Sequence, residues 1–219
     1  MTSRIVGCSV PRVDGVAKVK GEAKYPGDWY LPHMLYAKVL WSQYPHARLV
    51  EIDTSRAENA LGVVRVLTHR DVPNNEFGIA EFDQHVLAED VVRWVGEPVA
   101  LVVAESESAA QTACELIDVL YEPLPVIDDP IVAMDDSTLL IHPERGSNTV
   151  GRNRVERGDV FKALRTAEVV IEGQYRTPHV EHAFLQPEAG LAYIDNEGRV
   201  TVIVGAQWPH DDVRQIAHA

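Results

Sequence analysis

The sequence predicts an α+β fold, and three observations carry that reading. Apolar residues alternate along short runs such as "LYAKVLWS" and "GLAYIDNEGRVTVIVGAQ", the period-2 pattern of strands with one buried face. "PVALVVAES" is apolar almost throughout, as a strand covered on both faces is. "SESAAQTACELIDV" carries Ala109, Ala113, Leu116 and Ile117 at helical spacing behind a serine cap.

Taken in order, "PRVDGVAKVKGEAKYPGDWYLP" is rich in Gly, Pro and Lys and reads as an extended arm with turns. Strands are expected at 35–42 and 48–53. "DTSRAENALG" is a short helix that Asp53 or Thr54 caps and Gly62 stops. "VVRVLT" returns to strand, 73–85 is a polar loop, and strands follow at 91–96 and 98–106. A helix over 106–119 and the strand "VLYEPLPV" complete a unit of ordinary domain size.

Residues 126–157 mix Pro, Gly, Asp, Ser and Asn, the composition of a long connector, with "LLIH" as its one expected strand. A second unit begins at "RGDVFKALRTA", where Asp159 caps a helix. "EVVIEGQYRTP" alternates like a strand, and Asp195, Asn196, Glu197 and Gly198 supply the turn of a hairpin. "WPHDDVRQIAHA" opens a helix, with Pro209 at its first position and Asp211 and Asp212 near its positive end. Nothing in the pattern ends that helix, and so small a second unit is marginal alone. The expectation is that the chain was cut or that a partner supplies the rest.

Composition narrows the function. The 219 residues carry a formal net charge of −13. So acidic a surface repels phosphate backbones and anionic lipid, which argues against nucleic-acid and membrane partners. The two cysteines, Cys8 and Cys114, have no metal-ligand spacing. With no apolar leader and no long apolar run, the expected setting is the cytoplasm. No glycine-rich phosphate loop occurs, so a nucleotide site is not expected.

The densest chemistry lies in "TPHVEHAFLQPE", residues 177–188. His179, Glu181, His182, Gln186 and Glu188 could form a metal site, an ordered bend or the wall of a pocket. Pro178 and Pro187 shorten any helix that would bring His179 and His182 to one metal ion, so no metal ligand is assigned. Gln207 sits between a strand and a helix start, where it can meet an anionic group or satisfy backbone groups in a turn.

Four pieces, "KVKGEAKY", "LPHMLYAKVLWSQYPHARLVEIDTSRA", "VLAEDVVRWVGEPVALVVAES" and "VEHAFLQPEAGLAY", stand in an order and with residues that resemble the N-terminal part of the molybdopterin-binding (large) subunit of the xanthine dehydrogenase/aldehyde oxidase family. The resemblance implies an arm at 1–17, a hammerhead-type mixed sheet with helices at 18–125, a connector at 126–157, and an incomplete α+β beginning of a molybdenum-cofactor-binding domain at 158–219. It implies part of a hydroxylase or dehydrogenase acting on an N-heterocycle, an aldehyde or an aromatic small molecule. Metal-activated water would attack an electron-poor carbon, with a glutamate as base.

The implied cofactors are molybdenum-molybdopterin, completed by another segment or chain, with [2Fe–2S] clusters and FAD on partner subunits. The implied partners are the remaining molybdopterin-binding portion and those iron–sulfur and FAD subunits. The family's glycine-rich "GGGFGG" loop and its "GxGE" glutamate segment do not occur here, so no catalytic residue is assigned to this chain and the isolated chain is expected to be inactive. Several relatives carry a glutamine where this chain has Val180, which cannot make the same hydrogen bond. The resemblance places Val180 and Gln207 beside the cofactor and His182 and Phe184 on the substrate-pocket wall. The alternative is a non-catalytic hammerhead scaffold or assembly module.

Overall fold

A computed structural model of the chain describes residues 6–79, 81–135, 138–184 and 186–219. They form two compact units. One joins the first 34 residues to 182–218, and the other runs from Leu35 to Glu181. The class is α+β, as expected.

The first segment is less extended than its composition suggests. Helix α1 (Gly15–Val19) makes little more than one turn, and a 3-10 turn forms at Pro26–Asp28. There the Asp28 carboxylate accepts from the Tyr25 N–H at 2.9 Å. Residues 1–5 of the expected arm lie outside the described residues.

The continuous unit starts with β1 (Tyr36–Trp41) and β2 (Ala47–Asp53). Helix α2 (Ser55–Glu58) follows. Asp53 Oδ1 accepts from the Ser55 N–H at 2.9 Å, and Gly62, at φ +81°, turns the chain into β3 (Val63–Leu67). The loop expected at 73–85 contains two short paired strands, β4 (Glu76–Phe77) and β5 (Gln84–His85). Only β6 (Val91–Val92) of the expected strand at 91–96 is paired. Gly96, at φ +90°, turns the backbone there instead.

Strand β7 (Pro98–Ala104) lies between β1 and β3 and is antiparallel to both. Val99, Ala100, Val102 and Ala104 along it are fully buried, which accounts for a run without polar alternation. Helix α3 (Glu107–Cys114) starts at Ser106, whose hydroxyl accepts from the Ala109 N–H at 3.2 Å. It stops short of the expected 119, because β8 (Asp118–Pro123) begins at Asp118 and pairs with β2. A second sheet thus runs in the order β6-β2-β8.

The main core joins Ala110, Ala113, Cys114 and Ile117 of the α3 region to Val66 and the buried alanines and valine of β7. A smaller cluster holds Ala47, Ala88, Val92 and Val99. Small residues on α3 let the helix lie close to the sheet, and close packing makes each methyl count.

Beyond β8, α4 (Pro130–Ala133) and a 3-10 turn at Pro143–Arg145 break the connector. "LLIH" is not a strand. Asn148 ties this region instead: its amide donates to the carbonyls of Ala133 and Leu139, and its oxygen accepts from the Ile141 N–H. Helix α5 (Val160–Thr166) is capped as expected, with Asp159 Oδ1 accepting from the Lys162 N–H at 2.8 Å. The strand expected at 168–178 is absent. The chain there is irregular, with Val169, Ile171 and Tyr175 exposed. Alternation supplies a face but no partner, and a strand needs a ladder to join.

In the other unit, β9 (Gly190–Ile194) and β10 (Val200–Val204) form the expected hairpin. Asp195 Oδ1 accepts from the N–H groups of Glu197 and Arg199, and Gly198 takes φ +77°. The 3-10 turn at Pro26–Asp28 packs on β9. Helix α6 (Pro209–His218) closes the unit, with Asp211 and Asp212 in its first turn. No helix among the described residues is long and apolar enough to cross a membrane.

Candidate functional site

The unit formed by the two ends of the chain contains a cleft of about 760 Å³, lined by Tyr25, His182, Phe184, Gln186, Glu188, Gly205, Ala206 and Gln207. Three local features build it. Tyr25 arrives on the residue preceding the 3-10 turn. The irregular segment ahead of β9 brings His182, Phe184, Gln186 and Glu188. The junction between β10 and α6 brings Gly205, Ala206 and Gln207, because Pro209 starts the helix only after those residues have left the strand.

Two details shape the walls. A Cβ placed on Gly205 would come within 2.4 Å of Gln186 Nε2. Glycine is therefore what lets the Gln186 amide lie against the backbone at that point. On the opposite segment, the rings of His182 and Phe184 stack with centroids 5.3 Å apart and planes 10° from parallel. The cleft thus offers two carboxamides, one carboxylate, a phenol and a stacked ring pair. Carboxamides donate and accept at once, so they read the edge of a neutral polar ligand.

The structure brings together three of the four residues expected at a site, namely His182, Phe184 and Gln207. Val180 belongs to the other unit and is 77 % exposed. Of the histidine and acid cluster, His182 and Glu188 line the cleft with Gln186, while His179 and Glu181 do not. The segment is not helical. Among the described residues, no group of three or more His, Cys, Asp or Glu is placed to hold a metal ion. Tyr25 was not foreseen. A tyrosine in a turn more than 150 residues from its neighbours in the cleft gives no local signal of that role.

Outside the cleft, one buried ionisable group stands out. Glu97, after the Gly96 turn, is 1 % exposed, and burial pushes its carboxyl above the usual range. Its carboxylate accepts from the Arg93 N–H. The Arg93 guanidinium donates instead to the carbonyls of Ile141 and Val91, at 3.2 Å each.

Comparison with known proteins matches most of the chain to family models. Residues 20–125 match the family model described as aldehyde oxidase and xanthine dehydrogenase, a/b hammerhead domain. Residues 141–219 match the molybdopterin cofactor-binding domain. The chain is 42% identical over 207 residues to a probable xanthine dehydrogenase subunit of Bacillus subtilis, covering 94% of this chain and 28% of that protein. It is 37% identical over 215 residues to the nicotinate dehydrogenase large molybdopterin subunit of Eubacterium barkeri, covering 98% of this chain and 50% of that one. Among solved structures, the aldehyde oxidoreductase of Desulfovibrio desulfuricans superposes with a TM-score of 0.80 at 31% identity, over 91% of this chain and 24% of that one. The chain therefore spans half or less of the length of these relatives.

Proposed function

The chain belongs to the xanthine dehydrogenase/aldehyde oxidase family, and from that premise we propose that it is the N-terminal part of the molybdopterin-binding subunit of a molybdenum hydroxylase. In this reading, 1–17 is an arm, 18–125 the hammerhead domain, 126–157 a connector and 158–219 the beginning of the cofactor-binding domain. The observation that carries the proposal is the placement of the cleft. All of its lining residues except Tyr25 fall within the stretch that matches the cofactor-binding domain.

The residues present fit the edge of a molybdopterin. A pterin that brings its own metal ligands, as the family resemblance implies, would need no thiolate or histidine cluster from this chain. Pterin rings alternate donors and acceptors along their edge, and the amides of Gln186 and Gln207 answer both. Gly205 leaves room for the Gln186 amide against the backbone, which keeps that amide in the cleft wall. When bound, the cofactor supplies hydroxylation of an electron-poor carbon and takes up the released electrons.

Within that reaction this chain's residues have positional roles. Gln207 holds an amide beside the cofactor at the entry to α6, and Val180 is assigned to the cofactor's apolar surroundings. His182 and Phe184 wall the substrate side and exclude water from it. The proton-abstracting base comes from elsewhere in the protein, so the isolated chain is inactive. The substrate is an N-heterocycle, an aldehyde or an aromatic compound. Electrons leave through [2Fe–2S] and FAD subunits, and the assembly works in the cytoplasm.

The test is purification of the assembly from its native source, with molybdenum measured per complex and subunits identified by mass. Molybdenum together with iron–sulfur and flavin subunits is expected in the complex, and no stoichiometric molybdenum in the isolated chain. A complex without molybdenum would overturn the proposal. Stoichiometric metal in the isolated chain would overturn the division of roles.

A further inference from the structure

We propose that Arg93 and Glu97 form a proton-operated clasp on the loop 139–148. With Glu97 neutral, the Arg93 guanidinium holds the Ile141 carbonyl; with Glu97 ionised, it turns to the carboxylate and lets the loop go. The inference stands apart from the cofactor reading, since every group in it belongs to the continuous unit.

The loop is closed on itself. The Asn148 side chain accepts from the Ile141 N–H and donates to the Leu139 carbonyl, at 2.9 Å each. The 3-10 turn at Pro143–Arg145 and Gly146, at φ +69°, shape its tip. Among the described residues, two side chains of the hammerhead stretch hold it. Arg93 Nε donates to the Ile141 carbonyl at 3.2 Å, and Asp83 pairs with Arg145. Ile141 is where the match to the cofactor-binding domain begins, and Arg93 lies within the hammerhead match. The clasp therefore fastens one matched stretch to the other, with the Asp83–Arg145 pair as a second hold.

Arg93 has two partners of unequal strength within reach. Glu97 is 1 % exposed, and its carboxylate accepts from the Arg93 main-chain N–H. Ionising a buried carboxyl is costly unless a charge faces it. The Arg93 guanidinium can supply that charge, but it rests on the carbonyls of Ile141 and Val91. A guanidinium binds a carboxylate more strongly than a neutral carbonyl, because both partners are then charged. Burial raises the Glu97 carboxyl above its ordinary 4.5, against the Arg93 N–H and the charges of Arg93 and His142. The clasp thus opens above that value. Capture limits the cost of ionisation without cancelling it, because two carbonyls are given up. The other titratable groups around the pair are His142, whose Nδ1 lies 2.9 Å from the Glu144 carboxylate, Glu144 itself, and His85, both of which feel the Arg93 charge.

Hydrogen–deuterium exchange of the 139–148 amides in the full chain, followed from about pH 4 to about pH 8, reads the loop. Each rate is divided by that of Glu97→Gln at the same pH, which cancels intrinsic exchange. The ratio should stay near one at the acid end and climb about tenfold once Glu97 ionises, while amides of β7 keep a ratio near one. The Arg93 Nε–H resonance should move with the same inflection in the parent and stay fixed in Glu97→Gln. Arg93→Met keeps the stem and removes the donors. Its loop should exchange about tenfold faster than the parent's at the acid end and no faster at the alkaline end.

A ratio near one at every pH would overturn the proposal, and a step shared by Glu97→Gln would assign the change to His142, His85 or Glu144 instead. Parent-like exchange in Arg93→Met at the acid end would overturn it too. If Glu97→Gln does not fold, the parent decides alone: an Arg93 Nε–H resonance with no inflection above 4.5 refutes the clasp.

Discussion

Replacing Glu97 with glutamine tests whether this carboxyl is buried in its neutral form. The side chain is almost wholly out of solvent, and burial raises its pKa from an ordinary value of 4.5. The Arg93 main-chain N–H and the Arg93 charge pull the other way, and they are outweighed by burial. The Arg93 guanidinium is already engaged by two carbonyls, so it is not fully available to neutralise a carboxylate.

The folded protein therefore holds this proton more tightly than the unfolded chain does. Such a group contributes stability that is complete below the unfolded pKa and is lost as pH rises through the folded one. Within that window the loss approaches about 1.4 kcal/mol per pH unit for one proton. Glu97→Gln keeps an acceptor for the Arg93 N–H and removes the ionisation. Its stability relative to the parent should rise as pH climbs from about 4, then level off once Glu97 is ionised in the folded parent. Glu97→Ala instead leaves that N–H without its partner, and should cost about 1–3 kcal/mol even at the acid end. Urea unfolding of the three proteins across a pH series gives the difference curves directly. A flat curve for glutamine would refute the argument, and so would a parent that gains on the glutamine variant as pH rises, the mark of an ionised carboxylate in favourable contact with Arg93.

Two further outcomes follow from the continuous unit. His46, 6 % exposed, bonds through Nδ1 to the Pro125 carbonyl at 2.6 Å; His46→Ala should lower stability by about 1–3 kcal/mol through the carbonyl it abandons, read as a lowered melting temperature. Gly62 combines φ +81° with a position where an added Cβ would lie 3.3 Å from the Ala109 Cβ; Gly62→Val should cost more than about 1 kcal/mol in urea unfolding, and an unchanged midpoint would contradict the strain assigned there.

Much of the fold could be read in the sequence where the signal was local. The hairpin of β9 and β10 declares itself by alternation on both sides of Asp195–Gly198, and the turn is closed by Asp195 as those residue types imply. Ser106 and Asp159 cap their helices because a cap is a property of four consecutive residues. Residues 168–178 show the limit of that logic, since their alternation matches a strand that finds no partner. The cleft divides in the same way. His182, Phe184 and Gln207 were legible through the segments that carry them, but the place of Tyr25 beside them depends on pairing across most of the chain. The left-handed backbone of Ala183 had no sequence signal, because alanine is not one of the residue types enriched there.

The division of the molecule imposes an order on its making. One unit is continuous, whereas the other must join the first 34 residues to residues 182–218. During synthesis at about 5–20 residues per second, the early segment waits roughly ten to thirty seconds for the strand it will pack against. In that interval the continuous unit has every strand and helix of its core in hand and can fold first, replacing a long flexible tether with a folded one. The cleft, with Tyr25 made before the continuous unit and Gln207 after it, is thus finished only once that unit has been synthesised. A ribosome stalled before β10 would carry a folded sheet core and half a site.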